Sequence, residues 1–278
     1  MDCLFKRLSS YSDYGGVICL RDKSNLTLSD SSFYNCRSSN HGGAVYFYAM
    51  NALVERCCGN NCRGNDGHFI YLYSIANAHL LKMVHVSVLK SNNETTGQSA
   101  LYFLQGNQRC YGSNSSKNLA NVASGIIFFS PYSLDCSYCT FSDNNAKAYM
   151  TLYVYGNSMN NLSYCCFTNN STPSLGIVYI NYAYLVIKDS VFINNIGVLF
   201  HVAAHSITLS NVYYGHQGTL SSGTVVSGSI CEPFTLALEH YATFYCDASL
   251  KLFVKEKFTT NPPIGQISTF SFIFVVFL

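Results

Sequence analysis

The chain has 278 residues, of which 49% are hydrophobic and only 11% are charged. Its net charge of +2 comes without any run of Lys and Arg, which excludes nucleic acid as an expected partner because phosphate binding needs clustered basic side chains. Tyr, Phe, Ser, Asn and Gly are abundant, whereas residues that favour exposed helices are scarce. Composition alone therefore predicts an all-β protein.

Residues 1–14 precede the repeating part of the chain. They lack the apolar run of a secretory signal, so no signal peptide is predicted within this chain. We expect this segment to form an incomplete N-terminal coil or a cap.

Residues 15–231 contain a sequence repeat. A Gly or another small residue is followed by an apolar and aromatic run, and successive runs begin roughly 22 to 32 residues apart. The runs are GGVICL from Gly15, GGAVYF from Gly42, GHFIYL from Gly67, SALYFL from Ser99, GIIFF from Gly125, YMTLYV from Tyr149, GIVYI from Gly176, GVLFHV from Gly197 and GTVV from Gly223. A second strand follows most runs, and no stretch shows a sustained 3.6-residue period, so few helices are expected.

A unit of two or three short strands cannot bury its own apolar face. Stacking the units solves this problem, because each strand then pairs in parallel with its equivalent in the next unit. Propeller blades need about 40 to 50 residues, which is longer than this period. The sequence therefore predicts a single-stranded right-handed parallel β-helix of about 8–9 coils.

Aligning the first strands assigns their faces, since alternate side chains point to opposite sides of a strand. An aliphatic column is expected to point inward, and it contains Ile18, Val45, Ile70, Leu101, Ile127, Leu152, Val178, Leu199 and Val225. The next column is expected to point outward, and its candidate ligand-binding residues are Tyr46, Tyr71, Tyr102, Phe128, Tyr153 and Tyr179. Such a ladder could stack on sugar rings or dock a partner surface. Mutual stacking that stabilises the sheet, or cover by a loop or by the C-terminal segment, fits the same pattern.

The second strands carry a column of small residues at a corner, including Cys57, Cys139 and Cys165. Cys139 and Cys165 are expected on adjacent coils, at a spacing that a disulfide tolerates, although parallel side chains make that bond awkward. The odd total of 13 cysteines fits either several disulfides or mostly packed thiols. The polar segment 107–121 is interpreted as a loop that leaves one coil.

Polysaccharide lyases and hydrolases of the pectin-lyase-like β-helix class are the alternative to a non-catalytic module. Their chemistry needs clustered carboxylates, yet Asp30 and Asp189 share a column several coils apart. His201 and His205 have no carboxylate or Cys at a recognisable metal-ligand spacing. We therefore predict no catalytic residues, no metal site and no cofactor.

The C-terminal part departs from the repeat. Residues 232–258 are expected to form the last coil or a cap, and residues 259–278 a tail that ends in a short apolar segment. Its final stretch, FSFIFVVFL, is shorter than the roughly 20 residues that span a bilayer. A truncated membrane segment, a lipid-anchor signal and a final strand all fit, so membrane association through this segment stays open.

Two short motifs recur at the repeat period. Gly42-Gly43-Ala44-Val45 has the form GGA followed by an aliphatic residue, and Gly15-Gly16-Val17-Ile18 nearly matches it. Phe141, Phe167 and Phe192 each begin an F-x-x-N motif. Over residues 15–230 the chain resembles the repeats of bacterial polymorphic membrane proteins and similar protist surface proteins. The resemblance implies a secreted or surface-displayed β-helix, often adhesive. We therefore expect an adhesin-type module at the cell surface that binds a glycan or a partner protein.

Overall fold

The computed structural model describes residues 3–10, 14–91, 97–156, 158–214, 221–222 and 225–227. This part of the chain contains strands and no helix, and hence no helix that could cross a membrane. The expected N-terminal segment is described in part, whereas the expected cap at 232–258 and tail at 259–278 lie outside the described residues.

The strands of the N-terminal half follow one another in a repeating order of three. Before the first coil lie β1 (Cys3–Lys6) and β2 (Ser9–Ser10). The first three coils contain β3 (Ile18–Arg21), β4 (Leu26–Ser29), β5 (Ser31–Tyr34), β6 (Arg37–Ser38), β7 (Val45–Ala49), β8 (Ala52–Glu55), β9 (Cys58–Asn60), β10 (Ile70–Ser74), β11 (Leu80–Val84) and β12 (Ser87–Leu89). The fourth coil contains β13 (Ser99–Leu104), β14 (Asn107–Tyr111), β15 (Asn114–Ser116) and β16 (Leu119–Ala120).

The same order continues to the end of the described chain. The fifth and sixth coils contain β17 (Ala123–Phe129), β18 (Ser133–Ser137), β19 (Thr140–Ser142), β20 (Asn145–Ala146), β21 (Met150–Tyr155), β22 (Met159–Ser163) and β23 (Cys166–Thr168). The seventh and eighth coils contain β24 (Gly176–Asn181), β25 (Ala183–Lys188), β26 (Val191–Ile193), β27 (Phe200–Val202), β28 (His205–Ser210) and β29 (Tyr213–Tyr214). Two further strands follow, β30 (Ser221–Ser222) and β31 (Val225–Ser227).

Three parallel sheets of nine strands each form the walls of the solenoid. The first sheet runs from β3 through β7, β10, β13, β17, β21, β24 and β27 to β30. The second sheet contains the next strand of each coil, from β4 to β31, and the third sheet runs from β1 through β5 to β29. This architecture confirms the predicted all-β parallel solenoid. Residues 107–121, interpreted above as a loop, instead form β14, β15 and β16, so that interpretation was wrong.

The second and third sheets meet at a corner of one or two residues. The first corner residue has a positive φ in most coils, as for Asp30 (49°), Tyr138 (56°) and Tyr164 (52°). This left-handed conformation turns the chain sharply between two extended strands, which the sequence pattern had merged into one. The asparagine turns after the third sheet use the same conformation, for example Asn169 at 55°.

The Gly-Gly pair of the repeat serves two separate purposes. Gly42 has a φ of +63°, a conformation that side chains disfavour. Gly43 is crowded by the next coil, because a Cβ added there would lie 2.0 Å from the carbonyl oxygen of His68. The second glycine therefore allows neighbouring backbones to approach closely.

The core fills the space between the three sheets. The expected inward column pairs in register from Ile18 through Val45 and Ile70 to Leu101. Stacked phenylalanines line the third sheet, with ring centroids 4.7 Å apart for Phe141 and Phe167. Stacking therefore buries an apolar face that no single coil could bury alone.

Candidate binding face

The predicted ladder lies on the outer side of the first sheet. Tyr46, Tyr71 and Tyr102 pair in register on consecutive coils, and their ring centroids are 5.4 Å and 4.8 Å apart. Tyr153 and Tyr179 form a second stack, with centroids 5.0 Å apart and rings inclined by 9°. The structure therefore brings five of the six predicted residues into one column, which we call the first aromatic column.

Phe128 does not belong to this column, so its predicted outward direction was wrong. A bulge in β17 inserts one extra residue between Ala123 and Ile126 relative to both neighbouring strands. Ile126, and not Ile127, therefore pairs with Leu101 in the inward column. Phe128 turns into the core with no exposed surface. Ile127 occupies the outward position that was predicted for Phe128, between Tyr102 and Tyr153.

The alignment also slipped by one residue in the eighth coil. Phe200, and not Leu199, pairs with Val178 in the inward column, and His201 faces outward beside Tyr179. Val225 pairs with Ile207 in the second sheet, not with the first. The number of residues per coil falls here, and an alignment based on the motifs alone does not detect this change.

A second aromatic column lies beside the first, and the sequence analysis missed it. It occupies the outward positions two residues further along each strand, and it contains Tyr48, Tyr73, Phe129 and Tyr155. The rings of Tyr48 and Tyr73 are 4.6 Å apart, and those of Phe129 and Tyr155 are 4.5 Å apart. The period-2 alternation that placed Tyr46 could have identified this column as well.

The two columns differ in exposure. Tyr46 and Tyr71 retain only 6% and 7% of their accessible surface, whereas Tyr48 retains 38%. Tyr73 and Tyr155 are half-buried. The second aromatic column is therefore the part of this face that a ligand can reach more easily.

The N-terminal end of the face is covered by polar and aromatic side chains. The ring of Tyr14 lies 4.6 Å from that of Tyr46, and the guanidinium of Arg21 lies 3.4 Å from the Tyr14 ring centroid. The His41 ring packs 4.8 Å from that of Tyr71, and His41 Nδ1 lies 2.8 Å from an Asp66 carboxylate oxygen. These contacts explain the low exposure of the ladder in the second and third coils.

Burial also changes the acidity of the ladder tyrosines. It raises the pKa of Tyr153 to about 12, an effect that a hydrogen bond with Asn181 partly offsets. Burial likewise raises the pKa of Tyr46, Tyr71, Tyr102 and Tyr179 above the ordinary value. The ladder tyrosines are therefore uncharged at neutral pH and present neutral hydroxyl groups.

The cysteines are mostly free thiols. Cys139 and Cys165 are buried and unbonded in the structure, so the possible disulfide between them is not formed, whereas Cys58 is disulfide-bonded. The Cys139 sulfur lies 3.7 Å from that of Cys110. Within the described residues, Cys110, Cys136 and Cys139 form the one group of His, Cys, Asp or Glu side chains whose ligand atoms converge closely enough for a metal ion.

Sequence reasoning missed this group because it placed Cys110 in a loop. Cys110 lies in β14 and pairs in register with Cys136 of β18, so both thiols point into the solenoid. The spacing of the cysteines along the sequence could have revealed the group. Cys110 lies one coil before Cys136, and Cys139 lies one coil before Cys165.

The other titratable residues considered above remain apart. Asp30 binds Arg56, with 2.6 Å between its Oδ1 and the arginine Nε, and this ion pair lowers the pKa of the aspartate. Asp189 accepts a hydrogen bond from Asn211 six coils away from Asp30. His205 stacks on Tyr184 with ring centroids 4.4 Å apart. The structure brings none of these residues into a shared site.

Comparisons with known proteins give no relative for this chain. No family model matches it, and neither a curated protein nor a solved structure shows significant similarity.

Proposed function

We propose that the chain is a non-catalytic, surface-displayed or secreted module that docks a protein partner through the outer face of the first sheet. The single observation that carries the proposal is the pair of aromatic columns that run side by side along this sheet. Contiguous aromatic surface on a soluble protein usually marks a site of interaction. Aromatic residues are enriched, and charged residues depleted, in the centres of protein interfaces.

The orientation of the rings favours a protein partner over a glycan. Tyr71 stacks against both Tyr46 and Tyr102, with interplanar angles of 19° in each pair, so neighbouring rings cover its two faces. Phe129 and Tyr155 are inclined by 19° and cover one another in the same way. A sugar ring that stacks on an aromatic residue needs an open ring face. The stacked rings instead present their edges and, for the tyrosines, hydroxyl groups, which suit a hydrogen-bonding protein surface. The rings of Tyr48 and Tyr73 are inclined by 48° and are less fully stacked.

Display at a cell surface is supported by the GGA motif and the recurring F-x-x-N motif alone. The low charge of the chain and its rigid stacked coils suit an extended docking platform. The first aromatic column then acts as packed support, and the second aromatic column provides the reachable contacts.

Binding to intact cells, measured for wild type and a Tyr48→Ser/Tyr73→Ser/Tyr155→Ser variant, tests this proposal. We expect the variant to lose affinity by roughly tenfold or more, because tyrosine is enriched among interface hot spots and a loss of about 1.4 kcal/mol lowers affinity tenfold. A Tyr138→Ser/Tyr164→Ser variant is the matched control. Its two rings also stack outside the core, 4.8 Å apart, but at the corner between the second and third sheets.

Two treatments of the target cells distinguish a protein partner from a glycan partner. Protease treatment of the target cells should abolish binding if the partner is a protein, while enzymatic removal of glycans should leave it unchanged. Equal loss of binding in both tyrosine variants, or none in either, would reject the first sheet as the docking face. Turnover of pectin or another uronate polymer by the wild type would favour the enzyme class instead.

A further inference from the structure

Four buried cysteines from three consecutive coils converge inside the solenoid. Cys110 of the fourth coil and Cys136 of the fifth lie on neighbouring strands of the second sheet and point inward. Cys139 and Cys165 follow the corners of the fifth and sixth coils. All four retain 2% or less of their accessible surface.

Three of the four sulfur atoms are close enough to share one ligand. Those of Cys110, Cys136 and Cys139 all lie within 4.8 Å of one another. The Cys139 thiol is 3.7 Å from the Cys110 sulfur. The Cys165 thiol lies next to this group and donates to the carbonyl oxygen of Cys136 at 3.6 Å.

The placement of the four thiols is unusual within their own columns. The inward column of the second sheet contains aliphatic residues or Met in the other coils, such as Val54 and Leu162. The corner column contains Ser31, Ser113 and Ser190 in three other coils and Cys57 in the second coil. Only in the fifth coil do cysteines occupy both columns, and the coil on either side adds one further cysteine next to them.

The arrangement has the composition of a tetrahedral thiolate site. Cys136 and Cys139 form a C-x-x-C pair, which is the spacing of structural zinc sites, and each neighbouring coil adds one further thiol. A zinc–sulfur bond of about 2.3 Å requires sulfur atoms about 3.8 Å apart in a tetrahedron. The Cys110–Cys139 separation of 3.7 Å meets this requirement. We propose that Cys110, Cys136, Cys139 and Cys165 bind a single zinc ion.

Coordination requires the thiolate form of each cysteine. Each thiol releases its proton to solvent as it coordinates, so uptake of the ion is accompanied by proton release.

The site is structural in character. Four protein sulfur atoms complete the tetrahedron, so no coordination position remains for water or substrate. Because the four thiols are buried, the ion enters during folding and is released only when the coils open. Zinc then links the fourth, fifth and sixth coils across the solenoid.

The test compares wild type with a Cys139→Ser/Cys165→Ser variant, both refolded under reducing conditions with Co²⁺ or Zn²⁺ as the probe. Serine already occupies the same corner position at Ser31, Ser113 and Ser190, so this variant should fold. We expect wild type to bind one Co²⁺ with the visible and near-ultraviolet bands of a tetrahedral thiolate site, and to gain thermal stability with Zn²⁺. The variant should show neither effect.

A Cys57→Ser variant is the matched control, because Cys57 occupies the same corner column in the second coil without neighbouring thiols from the second sheet. It should bind cobalt as wild type does. Three outcomes would overturn the proposal: no tetrahedral cobalt spectrum in the wild type, equal uptake by wild type and the double variant, or disulfides among the four cysteines in protein isolated under thiol-blocking conditions. Failure of the tyrosine experiment would leave this result unaffected.

Discussion

Tyr153 shows how stacking alters the chemistry of a single side chain. It lies outside the core, yet it packs against Tyr179 and is half-buried, and burial raises its pKa to about 12. An unfolded tyrosine titrates near pH 10. The neutral form is therefore favoured in the folded protein.

This difference predicts a loss of stability at alkaline pH. Because the folded pKa is higher, the unfolded chain releases its proton first, so the contribution is intact below about pH 10 and is lost as the pH rises towards 12. Urea denaturation at several pH values between 8 and 12 should show the decline. Tyr153→Phe should make it less steep, whereas Tyr132→Phe, at an exposed ring, should leave the slope unchanged. A slope that is insensitive to Tyr153→Phe would contradict the assignment.

The pair Cys139 and Cys165 shows how much the spacing of two residues in the sequence predicts about their surroundings. The spacing of Cys139 and Cys165 placed them on adjacent coils, and the structure confirms that placement. The cysteines that lie near them, Cys110 and Cys136, were not predictable from the pair alone, because they lie in the neighbouring strands β14 and β18.

At the scale of a single element, the bulge in β17 decides which side chains face the core. One additional residue reverses the direction of every side chain that follows it in the strand. Phe128 therefore packs 5.4 Å from the Phe103 ring inside the solenoid, and Phe129 joins the outer face.

Alanine substitutions at an inward and at an outward position of β17 should lower the free energy of unfolding by different amounts. Phe128→Ala should lower the free energy of unfolding by about 3–5 kcal/mol, because it removes a fully buried ring and leaves a cavity. Phe129→Ala, at a half-buried position, should cost less than half as much. Chemical denaturation of both variants measures the difference. The reverse order would mean that the bulge is absent and that Phe128 faces outward.

At the scale of the whole molecule, a ladder of buried asparagines links four coils. The Asn118 side-chain amide donates to Asn144 at 3.1 Å, Asn144 donates to Asn170 at 3.1 Å, and Asn170 donates to Asn195 at 3.0 Å. Each side chain also donates to a backbone carbonyl of an adjacent coil, as Asn144 does to Ser115 at 2.7 Å. The ladder satisfies buried polar groups at the corner between the third and first sheets.

Asn144→Ala should therefore weaken the solenoid at its middle. The substitution leaves the backbone amide of Asn118 and the carbonyl of Ser115 without their partner, at an expected cost of about 2–4 kcal/mol. Because each coil contacts only its neighbours, the loss should also reduce the cooperativity of unfolding. Urea denaturation followed by circular dichroism measures both effects. Asn161→Ala, at an exposed position in the sixth coil, should change stability by no more than about 0.5 kcal/mol, and equal costs would exclude a structural role for the ladder.

The sequence by itself determined the repeat, the all-β class and the inward direction of columns such as Val45 and Phe47. These features follow from period-2 alternation and from the local demands of the Gly-Gly turn, which are properties of neighbouring residues. Only the tertiary structure decided that Phe128 is buried, that the more accessible aromatic column begins at Tyr48, and that Cys110 meets Cys139. These features depend on how many residues each coil contains, because one extra residue shifts the register between coils without changing the local pattern.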